Sequence, residues 1–179
     1  SQTSWRDEKV FVWGKWHQQP RRVAWYGDAG TSYTYSGRTL EPLPWTELLE
    51  ELRQLIEAKT GASFNSVLLN LYRDQNDSMG WHSDNEPELG PTPTIASLSL
   101  GDAREFLFKH RQDKAVGIRR IVLPNGSLLV MFGDTQKNWL HAIEKERHPC
   151  GARINLTFRR IFPVRSRRQE DCLRGARDY

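Results

Sequence analysis

A chain of 179 residues can bury one substantial core but is too short for two full domains. Aromatic residues at 11%, with seven tryptophans, exclude a disordered chain, and no run approaches the roughly 20 apolar residues of a membrane-spanning helix. The 26 Lys and Arg against 22 Asp and Glu leave a net charge of +4, which permits a polyanionic partner without demanding one.

Residues 1–9 are polar and carry no apolar stretch of the secretory type. A strand is expected at 9–13, so near the start that a longer N-terminal part is expected to precede it. A second strand is expected at 22–26. A helix is expected at 44–60: Trp45, Leu48, Leu49, Leu52, Leu55 and Ile56 recur on one helical face, Pro44 suits a first turn and Gly61 a C-terminal cap. Strands follow at 66–72, 94–100, 105–109, 119–123, 127–132, 140–143 and 154–162, with a loop at 86–93 and a hairpin-type turn at Pro124-Asn125-Gly126. Residues 165–179 are polar and Arg-rich and read as a frayed tail. Many short strands around one helix predict a mainly β sandwich or barrel. Cys150 and Cys172 make neither a disulfide framework nor a CxxC pair, so a reducing, intracellular compartment is expected: nucleus in a eukaryote, cytoplasm in a bacterium.

Three groups of residues carry chemistry. In an extended segment i and i+2 point the same way, so His82 and Asp84 can offer a nitrogen and a carboxylate oxygen to one point. A third donor at a distance would complete a two-His, one-carboxylate triad for Fe(II). His141, on an expected strand, is the leading candidate, with His17, His110 and His148 as competitors; the alternative makes His82 a surface-loop histidine. In the second group, Arg153, Asn155, Thr157 and Arg159 alternate with Ile154, Leu156 and Phe158, which puts two arginines on one strand face. Buried, they would need an anion such as a dicarboxylate; exposed, they would meet solvent or surface acids. The third group, Asn70 and Tyr72, again shares one face and could supply further donors.

In this order, Asn70-Leu71-Tyr72, His82-Ser83-Asp84, His141 and Arg153-Ile154-Asn155-Leu156-Thr157-Phe158-Arg159 resemble the AlkB family of Fe(II)- and 2-oxoglutarate-dependent nucleic-acid dealkylases. The likeness covers roughly residues 9–162. Lys9-Val10-Phe11-Val12-Trp13-Gly14-Lys15-Trp16-His17, Tyr26-Gly27-Asp28-Ala29-Gly30, Tyr33-Thr34-Tyr35-Ser36-Gly37 and Ile95-Ala96-Ser97-Leu98-Ser99 look like its duplex-DNA repair branch. Gln18-Gln19-Pro20-Arg21 and Ala24-Trp25-Tyr26-Gly27 look like a neighbouring branch.

The resemblance implies a double-stranded β-helix, or jelly roll, with a flanking helix. It divides the chain into a nucleotide-recognition lid and DNA-contacting hairpin at 1–40, a catalytic core at 41–164 and a basic tail at 165–179. It implies that His82, Asp84 and His141 hold Fe(II), that Arg153 pairs with the distal carboxylate of 2-oxoglutarate, and that Asn70, Tyr72, Asn155 and Arg159 hold the rest. The base pocket would comprise Arg21, Tyr33, Tyr35, Ser36, Asn85 and Glu86. Tyr35 would stack on a flipped base opposite His141, and Glu86 would read its edge. Asn85 stands where the likeness has Asp. Val12-Trp13-Gly14 would be a hairpin tip that wedges into DNA, with Trp13 where the likeness has Phe.

The implied activity is oxidative demethylation of 1-methyladenine- and 3-methylcytosine-type bases in DNA. Duplex would be preferred, 2-oxoglutarate and O2 would become succinate and CO2, and formaldehyde would be released. The expected partner of a monomer is DNA, with no membrane. The alternatives are an RNA or single-stranded DNA demethylase and a catalytically inactive module that binds damaged DNA. Three basic clusters could track phosphates or form ordinary surface: Lys9, Lys15, Arg21 and Arg22; then Arg104, Lys109, His110, Arg111, Lys114, Arg119 and Arg120; then Arg165, Arg167 and Arg168.

Overall fold

The structure is a computed structural model that describes residues 3–162 except 13, 32, 36 and 37, with backbone alone at 10–12, 33–35 and 38–40. The strands are β1 (Lys9–Val12), β2 (Lys15–Gln18), β3 (Arg22–Gly27), β4 (Tyr33–Tyr35), β5 (Arg38–Leu40), β6 (Ser66–Tyr72), β7 (Met79–His82), β8 (Ile95–Gly101), β9 (Arg104–His110), β10 (Ile118–Leu123), β11 (Leu128–Met131), β12 (Trp139–Ile143) and β13 (Arg153–Arg159). Helix α1 (Glu47–Thr60) follows β5, and one turn of helix, α2 (Thr135–Asn138), leads into β12.

Among the described residues, a five-stranded sheet in the order β11-β8-β13-β6-β3 faces a four-stranded one in the order β10-β9-β12-β7. The strand pairs within both are antiparallel, which is the jelly-roll arrangement. Strand register explains what each face carries. Leu98, Leu156, Leu69 and Ala24 form one cross-strand row of the large sheet, and this outer face packs on α1 through Leu49, Ile56, Phe64 and Phe158. The neighbouring row, Ser99, Asn155, Asn70 and Val23, points inward, as do Arg153 and its partner Tyr72. Between the sheets lie Tyr72, Ile95, Phe106, Leu123, Met131 and Ile143. Strand β13 is central in its sheet, and its residues are covered on one face by α1 and on the other by the cavity side of the sandwich.

Helix α1 begins three residues later than its expected start at Pro44. Thr46 is the cap, its hydroxyl accepting from the Leu49 N–H, and Gly61 closes the other end at φ 69°. Leu49 and Ile56 are buried, but Leu48 and Leu55 are 64% and 65% exposed. These two leucines sit on one flank of the apolar stripe, and the sheet covers only its centre.

Other expectations need correction. Pro124-Asn125-Gly126 is no hairpin: it carries the chain from β10 in one sheet to β11 in the other, with Gly126 at φ 78° and its N–H on the Ser99 carbonyl. The strand expected at 154–162 ends at Arg159, beyond which the Ile161 N–H turns to the Asn65 side chain. Strands β2, β4, β5 and β7 and helix α2 went unassigned, each being too short for periodicity to show. The 86–93 loop contains a 3-10 turn, Pro87–Leu89. The expected tail at 165–179 lies outside the described residues.

Candidate metal centre and anion pocket

His82 ends β7 and His141 lies in β12, where the two are direct cross-strand partners. Opposed residues on one face bring their Cβ atoms to about 4.5–5.5 Å, so register alone brings the imidazoles together across 59 residues of sequence. Their ring centres are 4.2 Å apart. Asp84 lies two residues beyond His82, and one ligand atom from each of the three residues falls within 4.8 Å of the others. His82 Nε2 and His141 Nε2 each stand 3.9 Å from an Asp84 carboxylate oxygen. The Gly80 carbonyl, 2.8 Å from His82 Nδ1, holds a proton there and leaves the Nε2 lone pair for a metal. Of the competitors, His17 and His148 are exposed, and His110 packs edge-on against Trp139.

The electrostatics suit a divalent cation. Burial pushes both imidazoles down, His141 to about 3, with the neighbouring His82 adding to that fall. Burial pushes the Asp84 carboxyl up, but Arg159, 2.9 Å away, and the two imidazoles outweigh it and hold Asp84 below its ordinary value. The site therefore presents two neutral nitrogens and one carboxylate.

This has a consequence for acid stability. Unfolded, His141 titrates near 6.5; folded, near 3. The unfolded chain binds more protons between those values, so the metal-free protein should lose stability steadily as pH falls from about 6.5 towards 3 and show no such slope above about 7. Urea midpoints against pH measure this, and His141→Leu should flatten the slope.

Sequence reasoning missed Gln136. It is 2% exposed on α2, and its Oε1 accepts from the Asp84 N–H at 2.9 Å, which fixes the backbone beneath the carboxylate. Nothing in the local residue pattern marks it.

The inner face of the large sheet continues the site into a cavity of about 160 Å³. Arg153 is 1% exposed. Its Nη2 donates to Ser99 Oγ (2.8 Å) and Asn155 Oδ1 (3.0 Å), while its Nε and Nη1 are buried with no hydrogen-bond partner. Burial pushes its pKa down from the usual arginine value. Two buried, unmatched guanidinium donors fit a carboxylate, which Arg binds as a fork. Asn155 also accepts from Ser97 Oγ and donates to Thr157 Oγ1, and Asn70 accepts from Arg21 Nε at 2.8 Å. Arg153, Asn155, Thr157 and Arg159 are all buried, so the solvent-exposed alternative for this strand face does not hold.

The same cavity is lined by Glu8, Trp16, Gln19, Arg21 and Glu86. Glu86 Oε2 is buried without a partner. Asn85 is exposed and lies outside the wall. The backbone strand carrying Tyr33 and Tyr35 is present, but their side chains, like Trp13, Ser36 and the Val12 side chain, lie outside the described residues. Strands β1 and β2 pair antiparallel up to Val12 opposite Lys15, with Gly14 at φ 78°.

The second basic cluster divides. Arg104 is no surface residue: it is 1% exposed and holds the carbonyls of Asp74 and Asp77. Lys109, Arg111, Lys114, Arg119 and Arg120 are exposed. Two of these brace the metal strand from outside, Lys109 over the Trp81 ring at 4.7 Å and Arg111 donating to Ser83 Oγ. The third cluster, at 165–168, lies outside the described residues.

Comparison with known proteins places this geometry. The pattern of the 2OG-Fe(II) oxygenase superfamily matches residues 1–159. The chain is 44% identical over 163 residues to mouse DNA oxidative demethylase ALKBH2, covering 88% of this chain and 68% of the relative. It is 44% identical over 160 residues to the human protein of that name, covering 86% and 61%. It is 46% identical over 155 residues to human alpha-ketoglutarate-dependent dioxygenase alkB homolog 3, covering 82% and 54%. It thus spans between about half and two thirds of these relatives' length. The solved structure of OsALKBH1 has the same fold, with a TM-score of 0.58 at 18% identity over 89% of this chain and 83% of that one. The cofactors of the superfamily are Fe(II) and 2-oxoglutarate, used with O2, and the His82, Asp84 and His141 cluster can hold the iron. The chain belongs to the AlkB family of the 2OG-Fe(II) oxygenase superfamily.

Proposed function

We propose that this chain oxidatively demethylates N-methylated bases in DNA, with duplex preferred. The observation that carries the reading is one cavity holding both a three-ligand cluster within 4.8 Å and a buried arginine with two unmatched donors. The identity to proteins named DNA oxidative demethylase supports DNA as the substrate.

In this reading His82, Asp84 and His141 hold Fe(II). Arg153 holds the far carboxylate of 2-oxoglutarate, with Asn70, Tyr72, Asn155 and Arg159 around it. When bound, the iron supplies oxidation of the N-methyl group by O2, coupled to conversion of 2-oxoglutarate to succinate and CO2. The hydroxymethyl product then leaves as formaldehyde. The protein's own part is positioning and exclusion of water. Neutral imidazoles and a charged Asp84 keep the ligand set ready at neutral pH, and Arg159 fixes the carboxylate. Arg21, Tyr33, Tyr35, Ser36 and Glu86 are assigned to the flipped base; Asn85, expected among them, is exposed and does not line the cavity. A base must leave the duplex to reach the site, and methylation that blocks pairing lowers that cost.

The duplex preference is assigned to Val12-Trp13-Gly14 as wedge, and the protein is taken to act as a monomer. The rival with the same chemistry acts on single strands or RNA. One experiment separates them: load the protein anaerobically with iron and 2-oxoglutarate, admit O2 with methylated duplex or single-stranded oligonucleotides, and follow formaldehyde and base repair. Release with both and faster turnover on duplex is expected, with Trp13→Ala losing about tenfold or more on duplex and much less on single strands. No formaldehyde from any methylated oligonucleotide would reject the activity; equal loss on both strands would reject the wedge.

A further inference from the structure

Resting on that reading, we infer that Gln19 is a specificity-determining residue that hydrogen-bonds the exocyclic edge of the flipped base. Gln19 is 4% exposed, and its backbone N–H is fixed on the Glu8 carbonyl at 2.8 Å. Its Oε1 is buried with no hydrogen-bond partner. The side chain lines the cavity, as does that of Glu86, whose Oε2 is also buried and unmatched.

On β3, Val23 and Trp25 line the cavity while Ala24 and Tyr26 pack in the outer core. Gln19 and Arg21 lie in the turn between β2 and β3 and line the same cavity, with Arg21 Nε on Asn70. Buried amides in native proteins are matched, so an unmatched amide oxygen on a cavity wall points to a ligand donor.

The chemistry of that donor follows. An exocyclic amine, as on N-methylated adenine or cytosine, carries two N–H groups. Glu86 can take one and Gln19 Oε1 the other. Turned over, the same neutral amide presents N–H donors and can meet an exocyclic carbonyl, as on N-methylated thymine or guanine. Gln19 therefore tolerates both base classes, and a carboxylate at position 19 would not.

The test uses anaerobic protein loaded with iron and 2-oxoglutarate and reads the affinity of fluorescent single-stranded oligonucleotides carrying one 1-methyladenine or one 3-methylthymine. Gln19→Leu should weaken both by about tenfold, the size of one buried hydrogen bond. Gln19→Glu should keep the methyladenine oligonucleotide within about threefold and weaken the methylthymine one by more than tenfold. Both variants should keep the parental melting temperature. A change below about twofold in Gln19→Leu, or an equal loss on both bases in Gln19→Glu, overturns the assignment, as does a parent that binds methylated and unmethylated oligonucleotides alike. Formaldehyde release is scored separately: a parent that discriminates methylated bases yet releases none contradicts the demethylase reading and leaves the Gln19 result standing.

Discussion

Asp84→Asn should reduce iron-dependent conversion of 2-oxoglutarate to succinate by at least about a thousandfold, an effect of about 4 kcal/mol. The substitution is nearly isosteric and still offers Arg159 an oxygen, so the fold is expected to persist. What goes is the one negative charge in a cluster of two neutral imidazoles and a guanidinium. Without it a divalent cation would meet two nitrogens and an adjacent positive charge 2.9 Å from the former carboxylate. Arg159 would also be left buried opposite a neutral amide, so some loss of thermal stability should accompany the loss of turnover. Succinate assay and anaerobic Co(II) titration by absorbance measure the two consequences. Retention of more than about a tenth of parental turnover would remove Asp84 from the ligand set.

Arg104→Met should be the most damaging single change to stability away from the metal cluster, costing about 3 kcal/mol. Arg104 is completely covered, and its guanidinium serves the carbonyls of Asp74, Asp77 and Glu144 and the Glu146 carboxylate. It also lies 5.8 Å from the Tyr72 ring, whose other neighbour is Arg153 at 5.3 Å. One side chain thus ties the start of β9 to the loop between β6 and β7 and to the segment after β12. Methionine fills the space but leaves those carbonyls without donors. For a chain of this length the melting temperature should fall by about 6–12 °C. The Michaelis constant for 2-oxoglutarate should rise as well, because Tyr72 loses one of its two cationic neighbours. A melting temperature within about 2 °C of the parent would show that water satisfies the carbonyls.

The AlkB resemblance was legible because its parts are local. His82 and Asp84 are two residues apart, Arg153 to Arg159 alternate along one strand, and both patterns follow from the pleat. The helix, expected at 44–60 and found at 47–60, was legible for the same reason, since a period and a terminal glycine are neighbours in sequence. Where the expectations failed, the deciding contact was remote. Arg104 looked like one more cation in a basic run because its acceptors lie 27 to 42 residues away. Gln136 has no signature because its partner is a backbone N–H 52 residues off. Leu48 and Leu55 fit the helical stripe, but the width of the covering sheet is not written in the helix.

The sequence by itself determined the mainly β chain with one capped helix, the alternating Arg153–Arg159 strand and the pair of potential ligands at His82 and Asp84. Only the tertiary structure decided that His141, among the four histidines left, stands opposite His82. Only it placed both faces of β13 under cover, leaving Arg153 with donors that an anion must meet, and turned Gln19 into the cavity that Glu86 also lines. The physical reason is register. Periodicity sets which residues share a face, but which faces meet is set by the hydrogen-bonded pairing of strands far apart in the chain.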